Sequence, residues 1–139
     1  MVKILIVDDE EMGRTVMEEM FCRYGQFISV STGKDAVRVY EEELEKYRQF
    51  DLVLLDISLE DISGLEVLKQ IKAIERSKGK AGNKQTVVIM VTAHSEKDIV
   101  IDCIRAGCKG YFIKPLKQES VDKKLLELGF KNRQSRNQN

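Results

Sequence analysis

The sequence predicts an α/β fold, a doubly wound sandwich in which five parallel strands alternate with five helices. Three features point to it: short apolar runs separated by stretches of helical periodicity, two runs that are apolar without alternation, and a length that suits one domain. A chain of 139 residues buries roughly two-thirds of its unfolded surface on folding, which is enough for an ordinary core.

The first strand is Lys3 to Val7 and runs into four consecutive carboxylates, Asp8, Asp9, Glu10 and Glu11. Met12, Val16, Met20 and Tyr24 recur every four residues and stop at Gly25, predicting helix 1 with a glycine terminator. Phe27 to Val30 is the second strand, and Ala36, Val37, Tyr40, Leu44 and Tyr47 mark helix 2. Asp51 to Leu55 and Val87 to Val91, the third and fourth strands, read as covered on both faces and therefore central. Leu65, Leu68, Ile71 and Ile74 between them give helix 3. Ser95 and Asp98 form a capping box for helix 4, whose apolar positions Ile99, Val100, Cys103 and Ile104 run to Gly107. Gly110 to Ile113 is the fifth strand, and Val121, Leu125 and Leu128 mark helix 5. The domain is thus expected over residues 1–128, with a polar, disordered tail over 129–139.

Lys plus Arg and Asp plus Glu number 23 each, so no global field favours nucleic acid or an anionic membrane as a direct partner. Cys22, Cys103 and Cys108 are odd in number, lie in apolar surroundings and lack Cys-x-x-Cys spacing, which predicts reduced, buried thiols. No apolar run approaches the ~20 residues that span a bilayer, and Ile4 to Val7 is too short for a signal peptide. A cytoplasmic location is expected. Two stretches imitate phosphate loops, TGKD at 32–35 and GKAGNK at 79–84, but neither has P-loop spacing. Arg76, Lys78, Lys80 and Lys84 around the second read as a solvated loop.

In doubly wound sheets, ligands bind at the carboxyl ends of the strands. The residues there are Asp8 and Asp9 after strand 1, Asp56 after strand 3, Thr92 after strand 4 and Lys114 after strand 5. Taken singly, each has an ordinary role as a helix cap, a turn former or a solvated charge. Together, three carboxylates on one small patch repel one another unless a cation offsets them, and an oxygen-only set suits Mg2+. An adjacent Lys and Thr add phosphoryl chemistry: Asp56 as nucleophile forming an acyl phosphate, Asp8 and Asp9 holding the metal, and Lys114 and Thr92 stabilising phosphoryl oxygens. Glu10 and Glu11 are tolerated near the positive N-terminus of helix 1.

ILIVDDEE, LVLLD at 52–56, MVTA at 90–93, AG at 106–107 and GYFIKP at 110–115, in this order, resemble the receiver domains of two-component response regulators over residues 2 to 128. The resemblance implies a flavodoxin-like receiver fold with strand order 2-1-3-4-5. It makes Asp56 the phosphoacceptor, served by a histidine kinase or phosphotransfer protein. It implies a Mg2+ site of Asp8, Asp9, Asp56 and the Ser58 backbone carbonyl, and a switch pair of Thr92 and Tyr111 acting on the helix 4, strand 5, helix 5 face. The Lys114-Pro115 bond is implied to be cis. Ser58 and His94, two residues beyond Asp56 and Thr92, occupy positions that tune phosphoryl lifetime in the family.

The chain departs from the family after strand 3, where DISLEDISG carries Glu60 at a common proline and Ser63 at a common aspartate. Because the chain begins with Met1 and holds no output domain, it is expected to signal by presenting a phosphorylation-dependent surface to a downstream protein, or by pairing as a homodimer. It is then no conventional enzyme, although it catalyses its own phosphoryl transfer and hydrolysis. A receiver-like module working without phosphorylation is the alternative. A flavin or nucleotide protein of similar topology is disfavoured, since DDEE repels a bound phosphate.

Overall fold

A computed structural model describes residues 2–79, 85–93 and 97–133, and side chains for all of these but Lys97. Strands and helices alternate without exception: β1 (Val2–Val7), α1 (Glu11–Phe21), β2 (Gly25–Val30), α2 (Gly33–Glu45), β3 (Leu52–Asp56), α3 (Gly64–Ser77), β4 (Val87–Thr92), α4 (Lys97–Arg105), β5 (Gly110–Ile113) and α5 (Gln118–Glu127). The strands pair in parallel in the order β2-β1-β3-β4-β5. Strands 1, 3 and 4 are therefore neighbours, and their carboxyl ends meet.

The side-chain alternation of a strand divides the interior into two cores. Leu5, Val7, Val53 and Leu55 pack with Tyr40 of α2 and Ile71 of α3 on one face. Ile4, Ile6, Leu52 and Leu54 pack with Phe21 of α1 and Leu125 of α5 on the other. All five residues of β3 are buried, as a doubly covered strand requires. The central strands are unalternating in sequence because both of their faces are core.

Several elements differ from expectation in ways that have local causes. Helix α1 ends at Phe21, and Gly25 is the first residue of β2 rather than a helix terminator. Gly25 pairs with Val2, and a Cβ there would lie 2.0 Å from the Val2 carbonyl oxygen. The buried row of α1 is Met17 and Phe21, while Met12 and Val16 face outward. The four-residue spacing picked a neighbouring row because Gly13, which has no side chain to count, occupies the inner one. Ile104 of α4 is likewise exposed, leaving Cys103 as that helix's buried residue. Cys22 is exposed, whereas Cys103 and Cys108 are buried free thiols as expected.

The C-terminus of α2 departs furthest. Tyr47 belongs to no apolar face: it is 94% exposed and left-handed, with φ 61°. Its N–H donates to Leu44 O and that of Arg48 to Glu43 O, the paired bonds of a helix stop that normally uses glycine. Gly107 and Gly129 make the same pair of bonds after α4 and α5 with positive φ and no such strain. Residues 129–133 run back across the domain, with Phe130 against the second core and the Arg133 N–H donating to Arg23 O at 2.9 Å. The rest of the expected tail, 134–139, lies outside the described residues, as do Ser95 of the capping box and Lys80 and Lys84 of the basic loop. No helix among the described residues is long and apolar enough to cross a membrane.

Tyr47→Gly is expected to stabilise the fold by about 1 kcal/mol, because it removes left-handed strain without removing buried surface. A higher midpoint of denaturant unfolding with an unchanged slope would show this. An unchanged or lower midpoint would mean that the tyrosine carries no strain.

Candidate functional site

Asp8 follows β1 directly, and Asp56 and Thr92 are the last residues of β3 and β4. Strand geometry alone therefore presents three polar side chains at one edge. Lys114 follows β5, and its N–H donates to Thr92 O at 2.8 Å, so the chain enters the cluster in register with the sheet. Lys114-Pro115 is cis, as the resemblance implies.

The centre of the cluster is an ammonium between two carboxylates. Lys114 Nζ donates to Asp8 Oδ2 at 3.0 Å and to Asp56 Oδ2 at 3.1 Å. The other oxygens are held by main chain: Glu10 N–H donates to Asp8 Oδ1, and Ser58 N–H donates to Asp56 Oδ1, each at 2.9 Å. Asp8 is fully buried and Asp56 nearly so, while Asp9 is half-buried at the rim. One oxygen from each of Asp8, Asp9 and Asp56 lies within 4.8 Å of the others. That donor set is all oxygen and carries three negative charges against the Lys114 ammonium, which fits a hard divalent cation such as Mg2+.

Burial pushes the Asp56 carboxyl above the ordinary carboxylate range, helped by the charge of Asp8 and opposed by the hydrogen bonds from Ser58 and Lys114. Burial works against the Lys114 ammonium too, but its bonds to Asp8 and Asp56 outweigh it and raise its pKa. The pair is arranged so that the lysine stays charged while the nucleophile candidate is held in a poorly solvated place.

Three residues of the site escaped sequence reasoning. Gly13 faces Asp8 from α1, where a Cβ would lie 2.2 Å from Asp8 Oδ2. Gly64 opens α3 against the Asp56 carbonyl, where a Cβ would lie 2.3 Å from that oxygen. Arg14 Nη1 donates to the Asp8 carbonyl at 2.9 Å, adding a cation behind the carboxylates. A glycine inside a helix costs about 1 kcal/mol, and that cost at position 13 was the available signal.

Not every expected residue joins the cluster. Ser58 is exposed and touches it through its N–H. Tyr111 pairs with Met90 in the sheet and is 41% exposed, on the outer surface of β5. His94 lies outside the described residues. Thr32 and Asp35 of the TGKD stretch form the N-terminal cap of α2, with Asp35 N–H donating to Thr32 Oγ1, so this is a helix cap and no phosphate loop.

The family model of the response regulator receiver domain matches residues 4–126. Chemotaxis protein CheY of Bacillus subtilis is 31% identical over 121 residues, covering 86% of this chain and 90% of CheY. Transcriptional regulatory protein ZraR of Salmonella typhimurium is 30% identical over 129 residues, covering 89% of this chain, which spans only 26% of that regulator's length. A crystal structure of the CheX-CheY-BeF3-Mg+2 complex from Borrelia burgdorferi is similar at a TM-score of 0.77 and 27% identity, over 94% of this chain and 90% of that one.

The raised Asp56 pKa sets a sign for stability. Above the raised value the ionised carboxylate penalises the fold, and below the ordinary carboxylate range, where it is protonated folded or unfolded, the penalty is gone. Asp56→Asn is therefore expected to be more stable than wild type near neutral pH, with the difference shrinking as pH falls through the carboxylate range. Thermal unfolding of both proteins across that range tests this. A difference that grows on acidification would reverse the assignment.

Proposed function

Since the chain belongs to the response regulator receiver domain family, we propose that Asp56 is its phosphoacceptor, loaded from the phosphohistidine of a histidine kinase or phosphotransfer protein in the cytoplasm. The observation that carries this is the Asp56 carboxylate itself: buried at the end of β3, pinned by the Ser58 N–H and the Lys114 ammonium, and next to Asp8 and Asp9. Asp8, Asp9 and Asp56, with the Ser58 carbonyl, would hold Mg2+. When bound, the ion supplies positive charge to offset the carboxylates and the incoming phosphoryl oxygens.

An Asp56 carboxylate oxygen attacks phosphorus, the phosphorus–nitrogen bond breaks, and the electron pair returns to the donor imidazole. Lys114 then has a phosphoryl oxygen to pair with, and the Thr92 hydroxyl donates to another. Hydrolysis of the acyl phosphate by water regenerates Asp56 and releases inorganic phosphate. Ser58 is proposed to tune that step from its position beside Asp56, and His94 to do so from two residues beyond Thr92.

The output surface we infer is the α4, β5, α5 face. Ile104, Tyr111 and Ile113 are exposed there and border a groove of about 910 Å³. Contiguous apolar exposure of this kind suits a protein partner, or a second copy of the phosphorylated chain. Tyr111 and Thr92 form the switch that reshapes it. Moving such an equilibrium from 1:99 to 99:1 takes roughly 5.5 kcal/mol of differential stabilisation, a scale that charge-assisted bonds to one phosphoryl group approach.

Incubation with acetyl phosphate, followed by intact mass, tests the chemistry. One phosphoryl is expected on wild type with Mg2+, and none without Mg2+ or on Asp56→Asn. Unmodified, folded wild type in the presence of Mg2+ would favour a phosphorylation-independent module. Thr92→Ala is expected to separate the steps: Asp56 still accepts phosphate, while partner binding or dimerisation, followed by pull-down or light scattering, loses its dependence on it. Normal coupling in that variant would remove Thr92 from the switch.

A further inference from the structure

The seven residues between β3 and α3, ISLEDIS at 57–63, contain no proline or glycine, and Ser58, Glu60, Asp61 and Ser63 are exposed. Such a loop has no covalent reason to hold one conformation, yet it carries the Ser58 N–H that fixes Asp56 Oδ1. Its ends are tied by Gly64 N–H to Ile57 O at 2.9 Å and by the Ser63 hydroxyl, which accepts from Glu66 N–H. Its middle is tied to a different element. Asp61 Oδ1 accepts from Gly33 N–H and Asp61 Oδ2 from Lys34 N–H, both at 2.9 Å, across 28 and 27 residues of chain.

Those two N–H groups belong to the first turn of α2, where they have no partner within the helix. The Thr32 hydroxyl already serves Asp35 N–H, so Asp61 completes the cap from outside. Apolar packing reinforces the tie: Ile62 and Val67 sit where a Cβ on Gly33 would lie 2.5 and 2.8 Å from their side chains. The hydrogen bonds from Gly33, Lys34 and its own loop's main chain outweigh the loss of hydration and hold the Asp61 carboxyl below the ordinary range, so it is a charged acceptor at neutral pH.

We propose that Asp61 is a positioning residue for the phosphoacceptor: its carboxylate clamps the β3–α3 loop to the N-terminus of α2 and so fixes Ser58 against Asp56. This rests on the assignment of Asp56 and its metal site. Asp61 acts through the loop, by its bonds to Gly33 and Lys34. Groups of this outer kind change metal affinity by about tenfold or more when removed.

The test compares wild type, Asp61→Ala, Asp61→Asn and Thr32→Ala. Thr32→Ala weakens the same helix terminus without touching the loop, so it reports what a purely structural loss does. Mg2+ affinity is read by titration of the backbone amide resonances, and phosphoryl uptake from acetyl phosphate by intact mass. Asp61→Ala is expected to weaken Mg2+ binding and slow uptake about tenfold, with Asp61→Asn intermediate because it keeps one acceptor. Thr32→Ala is expected to lower the unfolding temperature with both readouts unchanged. Asp61→Ala matching wild type in both readouts, or Thr32→Ala losing as much as Asp61→Ala, would overturn the clamp. Wild type that neither binds Mg2+ nor takes up phosphoryl would overturn the assignment of Asp56, and the clamp with it.

Discussion

The ion pair that joins three strands is the constraint on which the site depends. Lys114 Nζ contacts Asp8 and Asp56 at 3.0 and 3.1 Å, so the ends of β1, β3 and β5 are joined by one ammonium. Two buried carboxylates this close repel one another. The lysine makes the pair tolerable, and the main-chain N–H groups of Glu10 and Ser58 bond the other oxygen of each. What remains is a compact acidic cluster with Asp9 at its rim, electrostatically short of positive charge and open to a cation on one side.

Holding that cluster requires space as much as charge. The side chain of Asp8 lies where a Cβ on Gly13 would sit, and the Asp56 carbonyl lies where one on Gly64 would. Helices α1 and α3 approach the sheet at its carboxyl edge only because those two positions have no side chain. Gly13 is also why α1 buries Met17 and Phe21 in place of Met12 and Val16. The placement of a carboxylate and the rotation of a helix are thus one packing solution.

The elements themselves were legible in the sequence. A run such as Leu52 to Leu55, apolar at every position, reads only as a strand with core on both faces, and the order of such runs fixes the layers. Asp8, Asp56, Thr92 and Lys114 were legible for the same reason, because position relative to a strand end is a one-dimensional property. What was not legible depends on contacts between distant parts of the chain. Gly25 looked like a helix stop until its pairing with Val2 was seen. Tyr47 fitted an apolar stripe, and only the bonds around it show a left-handed helix stop. The TGKD stretch caps α2, and its Gly33 and Lys34 N–H groups are met by Asp61, 28 and 27 residues further along the chain.

The opposite edge of the sheet is built on different terms. There Tyr40, Lys72, Glu75 and Thr86 form a buried network in which the Tyr40 hydroxyl donates to Glu75 and bonds Thr86, and Lys72 Nζ donates to Thr86 O at 3.0 Å. A nearly closed network of this sort rigidifies what it joins, here α2, α3 and the start of β4. At the carboxyl edge, among the described residues, Lys114 is the cation that bonds the carboxylates directly, with Arg14 behind them on the Asp8 carbonyl. Lys114 follows β5, a strand of four residues whose Tyr111 and Ile113 line the exposed groove. β5 is an edge strand that pairs on one side only, with β4. Lys114 thus ties the acidic cluster to the edge strand β5, while the buried network ties the other end of the sheet to α2 and α3.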